Sequence, residues 1–265
     1  MKRLTSLMAV ALICAAGTTT AQVTPSLYLE ELTWMEVRDA IQEGTTTIIL
    51  PTAGTEQNGP HMVLGKHKYL VNNAAELIAR RLGNTLVAPA VTYVPEGALE
   101  PASGHMRYAG TITLPNEHFM ALIEYAARSF KVHGFVDIVL IGDSGGNQAG
   151  MAEVAEMLNA DWAGEATRVH FIGDYYDDKV FREWLIAQGE SEESLGRHAG
   201  ILDTSRLLAV APRHVRQDRL APGGGFEGSG VSGDPTRASA EYGQKGVELL
   251  VEAAVRQIRS LTASR

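Results

Sequence analysis

Short apolar runs alternating with segments of helical period constrain this chain more than any other feature. The runs fall at residues 47–50, 86–91, 136–141 and 169–172. Each is too short for a helix and is bounded by Gly, Pro or polar residues, so each reads as a buried strand. The first is expected to stop at Pro51. Between the runs, apolar residues recur at three- and four-residue spacing. Leu70, Ala74, Leu77 and Ile78 share one helical face, and so do Phe119, Leu122, Ile123, Ala126 and Phe130. Val247, Leu250, Val251, Ala254, Val255 and Ile258 do the same near the end of the chain. Thr33 and Glu36 form a capping box for a first helix, with Trp34, Val37 and Ile41 on one side and Gly44 closing it. Ile112 and Leu114 suggest a further short strand before a helix opened by Pro115. Strands alternating with helices predict an α/β fold, a mostly parallel sheet covered on both faces. No internal repeat and no second-domain boundary is visible.

Residues 1–21 read as a secretory signal peptide. Lys2 and Arg3 precede an apolar core over 7–16, and Thr19, Thr20 and Ala21 make a small-residue cleavage site before Gln22. Residues 22–265 then form one domain, expected in the periplasm or secreted. The single cysteine, Cys14, lies inside the leader. Such a domain has no disulfide to hold it and depends on its core, which roughly 240 residues can build. Setting Lys2 and Arg3 aside lowers the 23 basic residues to 21 against 31 acidic ones, a net charge of −10. With no Lys/Arg cluster beyond the leader, nucleic acid and anionic membrane are excluded as expected partners.

The chemistry concentrates after the first strand. Glu56, Gln57, Asn58, His61, Lys66 and His67 follow within a Gly-punctuated loop. Loops leaving the ends of buried strands are where open α/β sheets place their sites, because strand ends converge on a crevice. A solvated strand-to-helix connection is the plainer alternative, and for Lys66 it is the favoured one. A second polar turn, Gly142-Asp143-Ser144-Gly145-Gly146-Asn147, follows the third strand. It fits G-x-S-x-G, the turn that lifts a nucleophilic serine off a strand end, with Asp203 and His214 downstream as acid and base. It also spells the serine surroundings of trypsin-like proteases, but those are all-β. The plain reading is a Gly-rich turn with a capping serine.

Leu50-Pro51, Gly54-Thr55-Glu56-Gln57, Gly59-Pro60-His61 and Gly65 together resemble the first signature of the creatininase (creatinine amidohydrolase) family. Gly110-Thr111-Ile112, Gly145-Gly146-Asn147, His198-Ala199-Gly200 with Asp203-Thr204-Ser205, and the segment 230–238 fit in the same order. The resemblance covers roughly residues 30–260 and rests on the ordered set, since each piece alone is weak. It implies a three-layer α/β/α sandwich with a four-stranded parallel sheet, assembly as homo-oligomers (hexamers), and a metal-dependent hydrolase of cyclic amides or related C–N bonds. It further implies two divalent ions on acidic and His ligands.

This chain departs from that pattern at the ligands. Glu56 is kept, but Asn58 stands where a His is usual, His67 where an Asp would bridge two metals, and Ser144 where another His is usual. Amide and hydroxyl groups are poor ligands for zinc or manganese. One ion remains as the expectation, zinc or manganese, held by Glu56 and His67 with Asp143 or Asp203. His198 matches the family's proton-shuttling His, and Asp203 shortens the Glu that assists it. Asn58, His61 and His105 are expected to line the substrate pocket, with Arg107 at its mouth. Three functions follow: a hydrolase of an amide or other C–N bond in a small molecule, a serine hydrolase using Ser144, or a non-catalytic small-molecule-binding relative.

Overall fold

The structure, a computed structural model, describes residues 26–220 and 226–263. The proposed leader, 1–21, lies outside the described residues. Four strands, β1 (Thr47–Thr52), β2 (Thr85–Val87), β3 (Asp137–Gly142) and β4 (Arg168–Phe171), form one sheet in the order β2-β1-β3-β4. Every pairing is parallel. Eight α-helices accompany them among the described residues: α1 (Trp34–Gln42), α2 (Lys66–Leu82), α3 (Asn116–His133), α4 (Gln148–Asp161), α5 (Lys179–Ala187), α6 (Glu192–Leu195), α7 (Ile201–Val210) and α8 (Ala240–Thr262).

The layers follow from the two-residue period of a strand. Ile48 and Leu50 of β1 and Ile138 and Leu140 of β3 point to one face, where they meet Phe119, Ile123 and Phe130 of α3 and Met151, Val154 and Leu158 of α4. Ile49, Val139 and Ile141 point to the other, against Val71, Ala75 and Ile78 of α2 and Val251, Ala254 and Ile258 of α8. Strands buried on both faces are continuously apolar, which is why they stand out in the sequence. The result is the expected α/β/α sandwich.

Several elements differ in extent. Pro51 does not end β1, which continues to Thr52. Ile49, Pro51 and Ala53 all turn their backbone toward the β2 side, where the Pro51 carbonyl accepts from the Val91 N–H at 3.0 Å. β2 has stopped at Val87 by then, so no partner is deprived of a donor. β2 is shorter than 86–91 because Pro89 bends the chain away; Val91 returns to make one bridge to Thr52. Ile112 makes one antiparallel bridge to Thr55 rather than a strand. The capping box of Thr33 and Glu36 forms, and Val37 and Ile41 pack inward. Trp34 is instead 72 % exposed, with the Arg38 guanidinium over its ring. In α3, Leu122 turns out and Ala127 takes the inner position.

Candidate active site

Parallel pairing sends the C-terminal ends of all the strands to one edge. The segments leaving β1, β2, β3 and β4 meet there, joined by the residues before and at the start of α7. They enclose a cavity of about 580 Å³ whose wall carries Glu56, His67, Glu96, His105, Asp143, Ser144, His198 and Asp203.

His67, at the start of α2, reaches between two strand ends. Its Nε2 lies 2.7 Å from Glu56 Oε1 and its Nδ1 2.8 Å from Asp143 Oδ2. Tyr175 hydroxyl donates to the other oxygen of Asp143 at 3.2 Å. Burial and the nearby Lys66 oppose a charge on the ring, but Glu56 and Asp143 outweigh them and raise its pKa to about 9. At neutral pH both ring nitrogens therefore donate, and His67 is an imidazolium clamped between carboxylates. Burial also opposes the charge on Glu56, yet His67 beside it holds that carboxyl well below the ordinary range.

Lys66, one residue earlier, is 1 % exposed, and its Nζ lies 3.0 Å from Asp203 Oδ1. The second Asp203 oxygen accepts from the Ala199 N–H at 2.7 Å. Burial opposes the charge on the lysine, but Asp203, Glu56 and Asp143 outweigh it and hold the ammonium above its ordinary range. Asp203 is correspondingly held below the usual carboxylate range by Lys66, against its own burial.

Glu96 enters from the loop after β2. It is hydrogen-bonded to Glu56, and the Ser144 hydroxyl donates to its Oε1 at 3.0 Å. Burial and the adjacent Glu56 raise the Glu96 pKa to about 9, so this carboxyl keeps its proton. Room for it exists because residue 54 is glycine: a Cβ there would sit 2.1 Å from Glu96 Oε1.

Glu56 also faces two further imidazoles. His105 Nε2 lies 3.4 Å from Glu56 Oε2, and His198 Nδ1 lies 3.8 Å from Glu56 Oε1. One ligand atom from each of these three residues falls within 4.8 Å of the others, the metal-capable group found among the described residues. His198 Nε2–H donates to the Gln57 carbonyl at 2.9 Å, which leaves Nδ1 with a free lone pair toward Glu56. Burial lowers the His198 pKa and keeps that lone pair available.

Of the expected site residues, Glu56, His67, Asp143, Ser144, His198, Asp203 and His105 all reach the cavity. Asn58 and His61 do not. Asn58 is fully buried behind the wall, where its amide donates to the Glu56 carbonyl at 2.9 Å and so shapes the loop. His61 is also fully buried and hydrogen-bonds Thr204 at 2.9 Å. Arg107 is exposed and lies outside the cavity wall. The serine triad is not assembled: Ser144 donates to Glu96, Asp203 is engaged by Lys66, and His214 stacks on Tyr69 away from the cavity. Lys66 is not the solvated helix start expected for it. Glu96, absent from the expected site, lies in the long segment between β2 and α3, where no motif in the sequence marks it.

A parallel α/β/α sandwich whose strand ends gather carboxylates and imidazoles in one polar cavity defines a class of α/β proteins with acid–base or metal chemistry at the sheet edge. The chain belongs to the creatininase family: the family model described as creatinine amidohydrolase matches residues 30–258. It is 28 % identical over 204 residues to a creatinine amidohydrolase of Pseudomonas putida, covering 74 % of this chain and 76 % of that protein. It is 27 % identical over 239 residues to a mycofactocin precursor peptide peptidase of Mycobacterium tuberculosis, covering 80 % and 84 %. Two solved structures share the fold. One, described as creatininase Mn, has a TM-score of 0.75 at 23 % identity, covering 90 % of this chain and 99 % of that one. The other, a creatininase variant of Zn-Zn type, has a TM-score of 0.73 at 23 % identity with the same coverage.

Proposed function

We propose that this chain is an exported hydrolase that cleaves an amide or other C–N bond of a small molecule, using one divalent ion, zinc or manganese. The observation that carries the reading is the convergence of Glu56, His105 and His198 on one point of a cavity sized for a small ligand. One carboxylate and two imidazoles suit a divalent ion and leave coordination positions open. The relatives' names and the zinc and manganese of the related structures support the same reading.

The donors fit one ion, with one adjustment. Gln57 Oε1 accepts from the Gly59 N–H at 3.0 Å, which aims Gln57 Nε2 at His105 Nδ1, 3.1 Å away. The imidazole then carries its proton on Nε2, facing Glu56. Freeing Nε2 as a ligand needs the proton on Nδ1, so the Gln57 amide must turn over and give up its bonds with the Gly59 N–H and the Gly230 carbonyl when the ion binds. His67, with both nitrogens engaged by carboxylates, is not in the ligand set of this reading.

A divalent ion at such a site supplies a water of lowered pKa and polarises the carbonyl under attack. The chain's residues supply the rest. Glu96, buried and protonated, stands in the cavity where it can donate to a departing nitrogen. Asp203 orders the loop carrying His198 by accepting the Ala199 N–H. His198 thus serves as a ligand in this reading, and proton delivery passes to Glu96.

Purified protein loaded with zinc or manganese and assayed against a panel of cyclic and linear amides tests the reading. Glu56→Gln and His105→Ala are expected to lose metal and to lower hydrolysis about 100-fold or more. Unchanged turnover in the presence of chelator would overturn it. Export predicts a mature chain beginning at Gln22, read by intact mass. Self-association is proposed with it, supported by the exposed apolar side chains Trp34, Tyr125 and Val132, and light scattering should return a mass several times that of one chain.

A further inference from the structure

The cavity holds more fixed charge than one ion requires. Glu56, Asp143 and Asp203 converge on it, and two basic side chains sit among them. Lys66 Nζ lies 3.0 Å from Asp203 Oδ1, while the His67 ring spans Glu56 and Asp143 at 2.7 and 2.8 Å. Both are almost wholly buried, at 1 % and 5 % exposure, so solvent does little to screen them. Adjacent in sequence at the first turn of α2, they are tethered cations that cannot diffuse away. The oxygens a second divalent ion would need are already neutralised and already hydrogen-bonded.

We propose that Lys66 and His67 are built-in counter-cations of the carboxylate cluster, which limit the site to one exchangeable divalent ion and keep the cluster assembled without a second. The inference builds on the single-ion reading of Glu56, His105 and His198, but concerns different side chains. Three carboxylates this close and largely shielded from water repel one another, and opposite charge beside them relieves that cost. A mobile ion would supply that charge only when loaded, whereas a lysine, and an imidazole whose two ring nitrogens each face a carboxylate oxygen, supply it from the moment the chain folds. Removing the lysine's charge leaves Asp203 beside Asp143 and Glu56 with one cation too few, an arrangement that attracts a divalent ion.

Zinc content after saturating dialysis, together with thermal unfolding in chelator and in zinc, tests the proposal. Wild type is expected to hold one zinc per chain. Lys66→Met is expected to hold one more than wild type, and zinc should raise its Tm by about 5 °C more than it raises that of wild type. Lys66→Met/Asp203→Asn, which removes one charge of each sign, should return to the wild-type count. Two zinc ions in wild type, or no increment in Lys66→Met, overturns the proposal. Should Lys66→Met fail to fold, His67→Asp is read in its place: an added zinc supports the proposal and none overturns it. A wild type that holds no zinc contradicts the single-ion reading, whereas the increment between wild type and variant still reports on the tethered cations.

Discussion

The Lys66 ammonium and the Asp203 carboxylate lie 3.0 Å apart across the join between α2 and α7, and the lysine has 1 % of its surface exposed. Each is present because the other is. Asp203→Asn leaves a buried lysine without its nearest counter-charge and should destabilise the protein by about 3–5 kcal/mol, measured by urea unfolding. Replacing both partners together should cost less, since no charge is then orphaned.

His61 predicts an acid-sensitive step in stability. Thr204 hydroxyl donates to the Ala199 carbonyl, so it accepts from His61 Nε2–H and leaves Nδ1 buried with no partner. Burial lowers the folded-state pKa to about 4, from 6.5 in the unfolded chain. The stabilisation is complete above pH 6.5 and is lost as pH falls toward 4, because the unfolded state takes up the proton first. About 3 kcal/mol is at stake for the full shift. Urea midpoints between pH 7 and pH 4.5 should fall more steeply for wild type than for His61→Gln.

Ser144 hydrogen-bonds a carboxyl group and no imidazole, so it has no base to activate it. Ser144→Ala should keep turnover within about tenfold of wild type, and a fluorophosphonate probe should leave the wild-type serine unlabelled. Covalent labelling of Ser144 with loss of turnover in the variant would restore the serine-hydrolase reading.

Gly146 lies against the loop that carries Glu96. A Cβ at this position would sit 1.9 Å from the Pro95 carbonyl oxygen, a backbone atom that cannot swing aside. Gly146→Ala should therefore push the two loops apart, destabilise the fold by about 1–3 kcal/mol and displace Glu96 from Ser144. Gly44→Ala is the control. It meets no neighbouring atom within 4 Å although its φ is +104°, so its cost is local backbone strain, with the cavity unchanged. Thermal unfolding and turnover, measured on both, separate the two effects.

The strands, the helices and the family were legible in the residues themselves. Continuous apolar runs mark strands buried on both faces, and three- and four-residue spacing marks the inner faces of α2, α3 and α8, because both periods are local properties of the backbone. The polar turns after β1 and β3 announced Glu56, His67, Asp143 and Ser144 for the same reason. Where neighbours in sequence point is equally local, yet what they meet is not. Lys66 looked like a wet helix start until α7 brought Asp203 against it, Glu96 sat in an unpatterned loop, and His105, expected at the pocket, meets Glu56 only because packing folds that loop over it. Asn58 and His61, which looked like pocket residues, were turned behind the wall by contacts with the Glu56 carbonyl and Thr204. Electrostatic partners separated by tens of residues leave no periodic signal in a chain. The sequence by itself therefore determined the scaffold and most of the reactive side chains, while the tertiary structure alone decided which charges face each other.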